Sequence, residues 1–225
     1  MKQNILIVAP HPDDEILGCG GYLLKKSYES NHIMVLYVTT STDGDWEDSY
    51  TKSKSLERDK IYLQLKLKGV QSKYMNFPAA SLDSINKKEL ILAFSEIFKL
   101  HMPNIVLLPN PSDIHSDHAI CFEIASKCCK PFRQNYVQQI MCYETLSETD
   151  IALDSRYNNF QPNYFLTLPS EIIEAKLKLL SIYKTEINSF PFPRSFDAIK
   201  AQAMTRGIQV GAKYAEAFQL LKLIE

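Results

Sequence analysis

One stretch limits what this chain can fold into: the apolar run Ile5-Leu6-Ile7-Val8-Ala9, which passes through Pro10 straight into His11-Pro12-Asp13-Asp14-Glu15. A run of that kind, with no polar alternation, fits a strand covered on both faces, as found in parallel sheets. Next, Ile16 to Ser30 carries apolar residues at helical spacing. Strand, polar turn and helix make the first half of a βαβ unit, and in open α/β sheets ligands sit beyond the carboxyl ends of the strands. Helix capping explains part of the polar cluster. Pro12 suits a first helical turn, and Asp13, Asp14 and Glu15 suit the positive end of a helix. A cap needs one such side chain, however, and not an imidazole beside adjacent carboxylates.

The same alternation continues along the chain. His32 to Val38 reads as a second apolar strand, running into the polar loop Thr39 to Trp46, which is either a plain turn or a substrate-contacting segment that includes Asp45 and Trp46. Thr51 to Leu67 reads as helix, stopped by Lys68-Gly69, and Lys73 to Phe77 as a short strand closed by Pro78. An amphipathic helix is predicted over Lys87 to His101, broken at Met102-Pro103. Asn104 to Pro109 is another apolar strand, and Ala119 to Lys130 another helix. Strands alternating with helices predict an α/β fold, a three-layer sandwich with a mainly parallel sheet. At 225 residues the chain suits a single domain spanning 1–225.

Between that last strand and helix lies a second polar cluster, Asn110-Pro111-Ser112-Asp113-Ile114-His115-Ser116-Asp117-His118. A helix starting here puts His115 and His118 on one face, with Asp117 within reach of either ring. Of the five histidines, three fall in the two clusters, while His32 and His101 stand alone at element boundaries and receive no function. Imidazole and carboxylate ligands without sulfur suit zinc or another borderline divalent ion, and catalytic zinc takes three protein ligands with one position left for water. His11, Asp14 and His118 offer such a triad, leaving Asp13 beside the metal as a base. A protonated His115 would stabilise an oxyanion, with Asp117 orienting its ring. Such a site hydrolyses amides.

Composition narrows the partners. With 25 basic and 26 acidic residues there is no global field to draw in nucleic acid or an anionic membrane. No stretch approaches the ~20 apolar residues of a membrane span, and the start reads as a strand and not a basic-then-apolar leader, so the cytoplasm is the expected location. A small molecule is the expected partner, and a homo-oligomer is compatible with this composition. The five cysteines are odd in number and form no Cys-x-x-Cys pair, which predicts reduced, mostly buried thiols.

The run Ala9-Pro10-His11-Pro12-Asp13-Asp14-Glu15, with His115-Ser116-Asp117-His118 after a later strand, resembles the PIG-L/LmbE family of zinc-dependent N-deacetylases. The resemblance implies a Rossmann-like α/β fold and removal of acetyl from N-acetylglucosamine-type sugars or their conjugates. It matches His11, Asp14 and His118 to the ligands of one zinc ion, Asp13 to the general base, and His115 to the oxyanion-stabilising histidine with Asp117 as its partner. Ala203 to Gly207 with Gly211 to Phe218 is similar to the C-terminal signature of the bacterial branch, and Phe160 to Phe165 and Glu171 to Tyr183 fall where that branch has a late strand and helix. Family members often carry a substrate-contacting arginine in the helix after the second strand, and Arg58 is the candidate. Asn188 to Phe196, rich in proline and phenylalanine, is either one wall of a sugar pocket or a packed loop. Glu15 matches the motif but has no chemical task beyond favouring the helix start.

Other classes fit less well. A dinucleotide-binding turn needs its glycines between strand and helix, whereas Gly18, Gly20 and Gly21 come inside the helix. No Gly-x-Ser-x-Gly elbow occurs. A metal-dependent phosphoesterase and a non-catalytic carbohydrate-binding protein with a residual metal site are the alternatives. The first wants more bridging carboxylates, and the second is expected to have lost the base that Asp13 supplies.

Overall fold

β1 (Asn4–Ala9) lies in the middle of a seven-stranded sheet of order β3-β2-β1-β4-β5-β7-β6, in a computed structural model that describes residues 2–41, 47–133, 136–153 and 160–225. β2 is His32–Thr40, β3 Gln71–Pro78, β4 Ile105–Pro109, β5 Gln139–Tyr143, β6 Tyr164–Thr167 and β7 Ala215–Leu223. The first five pair in parallel, and β7 runs antiparallel to both β5 and β6. The sheet is therefore mainly parallel, as the alternation of periods predicts.

The strand residues show why both faces must be covered. Along β1, Ile5, Ile7 and Ala9 join one apolar cluster while Leu6 and Val8 join a second on the opposite face. The first cluster takes side chains from α1 (Asp14–Tyr28), α2 (Asp48–Leu67), α5 (Ser170–Leu180) and α6 (Phe196–Ile208). The second is filled from α3 (Lys87–His101) and α4 (Ser116–Cys128). The result is helix, sheet, helix in three layers. All five cysteines are free and buried, and among the described residues no helix is long and apolar enough to cross a membrane.

Helix α1 is pressed unusually hard onto the sheet, and this explains its glycines. A Cβ on Gly18 would lie 2.1 Å from the Tyr143 ring, and one on Gly21 would lie 2.4 Å from Leu168 and 2.9 Å from the Glu216 carboxyl. The helix breaks at Cys19 (φ −145°, ψ 27°). A buried ion pair splices the break. The Glu216 carboxylate accepts from the N–H groups of Gly21 and Tyr22 at 2.7 Å each, and Lys176 Nζ donates to Glu216 at 2.7 Å and to the Leu17 carbonyl at 2.9 Å. The orphan N–H and C=O groups of the broken helix are thereby satisfied.

The elements start earlier than expected at two places that matter. α1 begins at Asp14 with Asp13 as its N-cap, and α4 begins at Ser116 with His115 as its N-cap. Both polar clusters thus supply helix starts as well as side chains to the site.

Candidate functional site

Parallel pairing of β1 with β4, with Ile5 opposite Ile105 and Ile7 opposite Leu107, ends the two strands side by side. The clusters that follow each strand consequently meet. Asp14 Oδ2 lies 3.4 Å from His11 Nδ1 and 3.3 Å from His118 Nε2. One donor atom from each of His11, Asp14 and His118 lies within 4.8 Å of the others, and His11, His115 and Asp117 form a second such group.

The first group fits a cation. Zinc binds nitrogen and oxygen at about 2.0–2.1 Å, so donors on adjacent corners of a tetrahedron lie roughly 3.3–3.4 Å apart. The two contacts of Asp14 have that length, which is beyond the usual 2.7–3.2 Å of an N–H···O hydrogen bond. The far nitrogen of each ring is held by another carboxylate. His11 Nε2 meets Asp117 Oδ2 at 3.1 Å, and His118 Nδ1 meets Asp113 Oδ2 at 2.8 Å. Carboxylates in that position fix ring orientation and raise ligand basicity. Both are themselves anchored, Asp113 by the Thr149 hydroxyl at 2.6 Å and Asp117 by the N–H groups of Ala80 and Leu82 at 2.8 and 3.1 Å.

Asp117 does not orient His115 through its carboxylate, as the sequence suggests. The Asp117 carboxylate is taken up by His11, and it is the Asp117 N–H that donates to His115 Nδ1 at 3.1 Å, in the geometry of a helix cap. An Nδ1 that accepts leaves the ring proton on Nε2. Burial, reinforced by the neighbouring His11 charge, pushes His115 down to about 4, so the ring is neutral near pH 7. The protonated form expected from the sequence is not what this environment favours.

In the other two rings burial opposes charge but is outweighed. His11 is pushed up to about 9 by its hydrogen bond to Asp117 and the adjacent Asp14 carboxylate, and His118 to about 10 by the Asp14 charge and Asp113. Asp14, between two imidazoles, falls well below the usual carboxylate range despite its burial.

Asp13 is 2% exposed. Burial pushes its carboxyl up to about 8 against the pull of Arg194. Arg194 carries no signal in the sequence and lies in the Asn188 to Phe196 segment. Its Nη1 donates to Asp13 Oδ2 and to Glu186 Oε2, its Nη2 to Glu148 Oε1, each at 2.9 Å, and its Nε to Ser147 Oγ at 2.7 Å. Glu186 in turn pairs with Lys54 of α2. The segment thus does reach the site, but through its arginine, while Phe190 and Phe192 are exposed.

A cavity of about 1030 Å³ is bordered by His11, Asp13, His115 and Arg194 together with Thr51, Ser55 and Arg58 of α2. Arg58 is therefore brought to the cavity, with its guanidinium 5.3 Å from the Tyr74 ring centroid. Asp45 and Trp46 lie outside the described residues.

Comparison with known proteins gives concordant results. The family model PIG-L, described as GlcNAc-PI de-N-acetylase, matches residues 6–129. The chain is 26% identical over 192 residues to the Escherichia coli (strain K12) protein named uncharacterized deacetylase YaiS, covering 82% of this chain and 92% of that one. It is 23% identical over 233 residues to the diacetylchitobiose deacetylase of Thermococcus kodakarensis, covering 97% and 83%. Among solved structures, the conserved protein TT1542 from Thermus thermophilus superposes with a TM-score of 0.76 at 22% identity, covering 99% of this chain and 96% of that one. That last likeness speaks to fold alone.

Proposed function

The chain belongs to the PIG-L (GlcNAc-PI de-N-acetylase) family, and on that footing we propose that it is a zinc-dependent hydrolase that removes the N-acetyl group from an N-acetylglucosamine-type sugar or sugar conjugate. The observation that carries the reading is the placement of Asp14 Oδ2 3.4 and 3.3 Å from two imidazole nitrogens whose far sides rest on Asp117 and Asp113. His11, Asp14 and His118 hold the metal in this reading. When bound there, a divalent cation acidifies water and polarises an amide carbonyl as a Lewis acid.

The remaining work falls to the protein's own groups. Asp13, paired with Arg194, takes in its ionised form the proton of the attacking water and returns it to the departing amine; its carboxyl stands at about 8 in the metal-free protein, and a cation beside it would favour that ionised form. Arg194 lowers the proton affinity of that buried carboxylate and keeps it in place. His115, neutral and with its proton on Nε2, donates to the carbonyl oxygen as negative charge builds there. A neutral donor suffices for this and spares the site a further positive charge beside the metal. Asp117 fixes the His11 ring.

The cavity supports a sugar-sized ligand, since pockets for small molecules run about 300–1,000 Å³. Thr40, Ser41, Ser55 and Asn76 on its wall offer hydroxyl and amide partners suited to a polyol. Arg58 of α2 borders the same cavity and in this reading meets the part of the substrate beyond the acetamide.

The test is release of free amine from a panel of N-acetylated sugars, with and without chelator. Turnover is expected to need the metal. Asp13→Ala should keep the metal and lose most turnover, on the order of 10³-fold, whereas His118→Ala should lose both. Amine release indifferent to chelation, or full activity in Asp13→Ala, would overturn the assignment.

A further inference from the structure

Six described residues other than glycine have positive φ, and five of them, from Met102 at 46° to Ser147 at 74°, sit in or near the left-handed basin. The sixth is Asp13, at φ 134° and ψ −29°. No basin for an L-residue lies there, and an N-cap ordinarily has extended backbone. A residue so placed persists only where its surroundings over-determine it, and such outliers cluster at functional sites.

The surroundings of Asp13 can be traced. Its carbonyl accepts from Ile16 N–H and Leu17 N–H at 2.9 Å each, the ordinary start of a helix. Its N–H donates at 3.1 Å to Glu15 Oε2, and the other oxygen of that carboxylate accepts from the Tyr183 hydroxyl at 2.6 Å. Glu15 and Tyr183 are both 0% exposed. No lysine or arginine pairs with Glu15 among the described residues, so a carboxyl group is kept in the apolar layer to meet the Asp13 amide and the Tyr183 hydroxyl. A buried polar group of this kind is unfavourable unless its hydrogen bonds matter. Glycine would adopt the backbone of residue 13 with less strain, but glycine has no carboxylate.

We propose that Glu15 and Tyr183 form a buried brace that selects the backbone state of Asp13 and so aims the Asp13 carboxylate between Arg194 and the ligand triad. They are positioning residues, and the aim they set is that of the base. The link to proton transfer rests on the deacetylase reading, while the brace itself does not. Without the Glu15 acceptor, the Asp13 N–H would be buried without a partner unless φ relaxed, and relaxation would swing the side chain away from Arg194.

Tyr183→Phe and Glu15→Gln in the full-length chain test this. The first removes one hydroxyl and leaves the ring in the core. The second keeps the shape of the side chain but exchanges one of its two acceptors for a donor. Expected are a fall in kcat of about 10-fold for Tyr183→Phe and about 100-fold for Glu15→Gln, the scale set by ångström-level misplacement of a reacting group. KM should stay within twofold and one zinc per chain should be retained. Hydrogen–deuterium exchange at the Asp13 amide should quicken at least tenfold in Tyr183→Phe. As a check on strain that needs no activity, Asp13→Gly should melt several degrees above Asp13→Ala. Unchanged Asp13 exchange with kcat within twofold in Tyr183→Phe overturns the brace. So does a Glu15→Gln variant that fails only by shedding its metal. If the parent protein releases no amine from N-acetylated sugars, the deacetylase reading fails instead, and exchange at Asp13 still decides for or against the brace.

Discussion

Replacing Asp113 with asparagine probes whether the carboxylate behind His118 tunes a metal ligand. Asp113 Oδ2 accepts from His118 Nδ1 at 2.8 Å, with the two side chains 0% and 1% exposed, and Oδ1 accepts from Thr149 Oγ1 at 2.6 Å. Asparagine offers its carbonyl to Nδ1–H and its amide to the Thr149 oxygen, so shape and tautomer survive and only the charge is lost. A hydrogen bond to a charged group contributes about 1.5–3 kcal/mol against about 1 for a neutral one. The difference, roughly 1.4 kcal/mol, corresponds to a tenfold weaker Kd for zinc, at the low end of the 10–100-fold range typical of outer-shell changes. The same charge helps hold His118 at about 10 in the metal-free protein, so its removal also weakens the competing proton. The loss should therefore be smaller at pH 7.5 than at pH 10.5, where the ring is mostly neutral. Competition against a chromophoric chelator at both pH values reads this directly. A Kd within twofold of the parent at pH 10.5, in a variant whose metal-free form melts normally, would refute the argument.

Further outcomes follow from the charges around the site. Because His11 and His118 are raised to about 9 and 10, both are protonated near pH 7 in the metal-free protein, and uptake of one cation should release close to two protons; calorimetry in buffers of different ionisation enthalpy counts them, and fewer than one at pH 7.5 would contradict the site. By the same raised values, that contribution to metal-free stability is fully present below about pH 6.5 and disappears as pH climbs through 9 and 10, so chelator-treated protein should melt lower at pH 10 than at pH 7. Arg194→Met strands Asp13 and Glu148 without their cation and leaves Glu186 with the Lys54 cation, and should lower stability by about 3 kcal/mol with a loss of kcat that lysine, lacking the fork, does not restore; denaturant melts within 1 kcal/mol of the parent would count against it. Glu216→Gln leaves Lys176 buried and unpaired at the break in α1, and should cost about 3–5 kcal/mol in the same assay.

The sequence made some of these residues legible and hid others for a definite reason. The first cluster could be read because strand, site and helix start are contiguous there, and a local pattern needs no partner to be recognised. The helix over Lys87 to His101 is found with the bounds the sequence predicts, since its apolar stripe is continuous and Met102 closes it in a left-handed conformation. β5 gives no signal in the sequence because Gln139-Ile140-Met141-Cys142-Tyr143 is too short to display a period. Asp113 was visible as one polar residue among several, but its role depends on the turn of α4 that presents His118 Nδ1 to it. Arg194 was beyond reach: its contact with Asp13 spans 181 residues and rests on a segment with no regular period. The motif displays Glu15 without a task for it, since neither the backbone angle of Asp13 nor the hydroxyl of Tyr183 can be inferred from the motif.

Those differences sort by how many elements must be assembled before a side chain acquires its role. Two parallel strands in register are enough to bring His11, Asp14 and His118 together, because β1 and β4 are neighbours and end side by side. A pattern of apolar runs ending in polar clusters encodes that much. What turns a ligand set into a site with a directed base needs elements from the far end of the chain: Tyr183 beyond α5, Glu186, and Arg194 before α6. Tyr183 packs in the apolar cluster on the face of the sheet that carries α1, and Arg194 reaches Asp13 from the segment before α6. The motif therefore brings the candidate ligands His11, Asp14 and His118 together, while the later third of the chain supplies the partners of Asp13 and Glu15, Arg194 and Tyr183. Substitutions in that later third should alter kcat while leaving metal content intact, the reverse of what substitution of His118 should do.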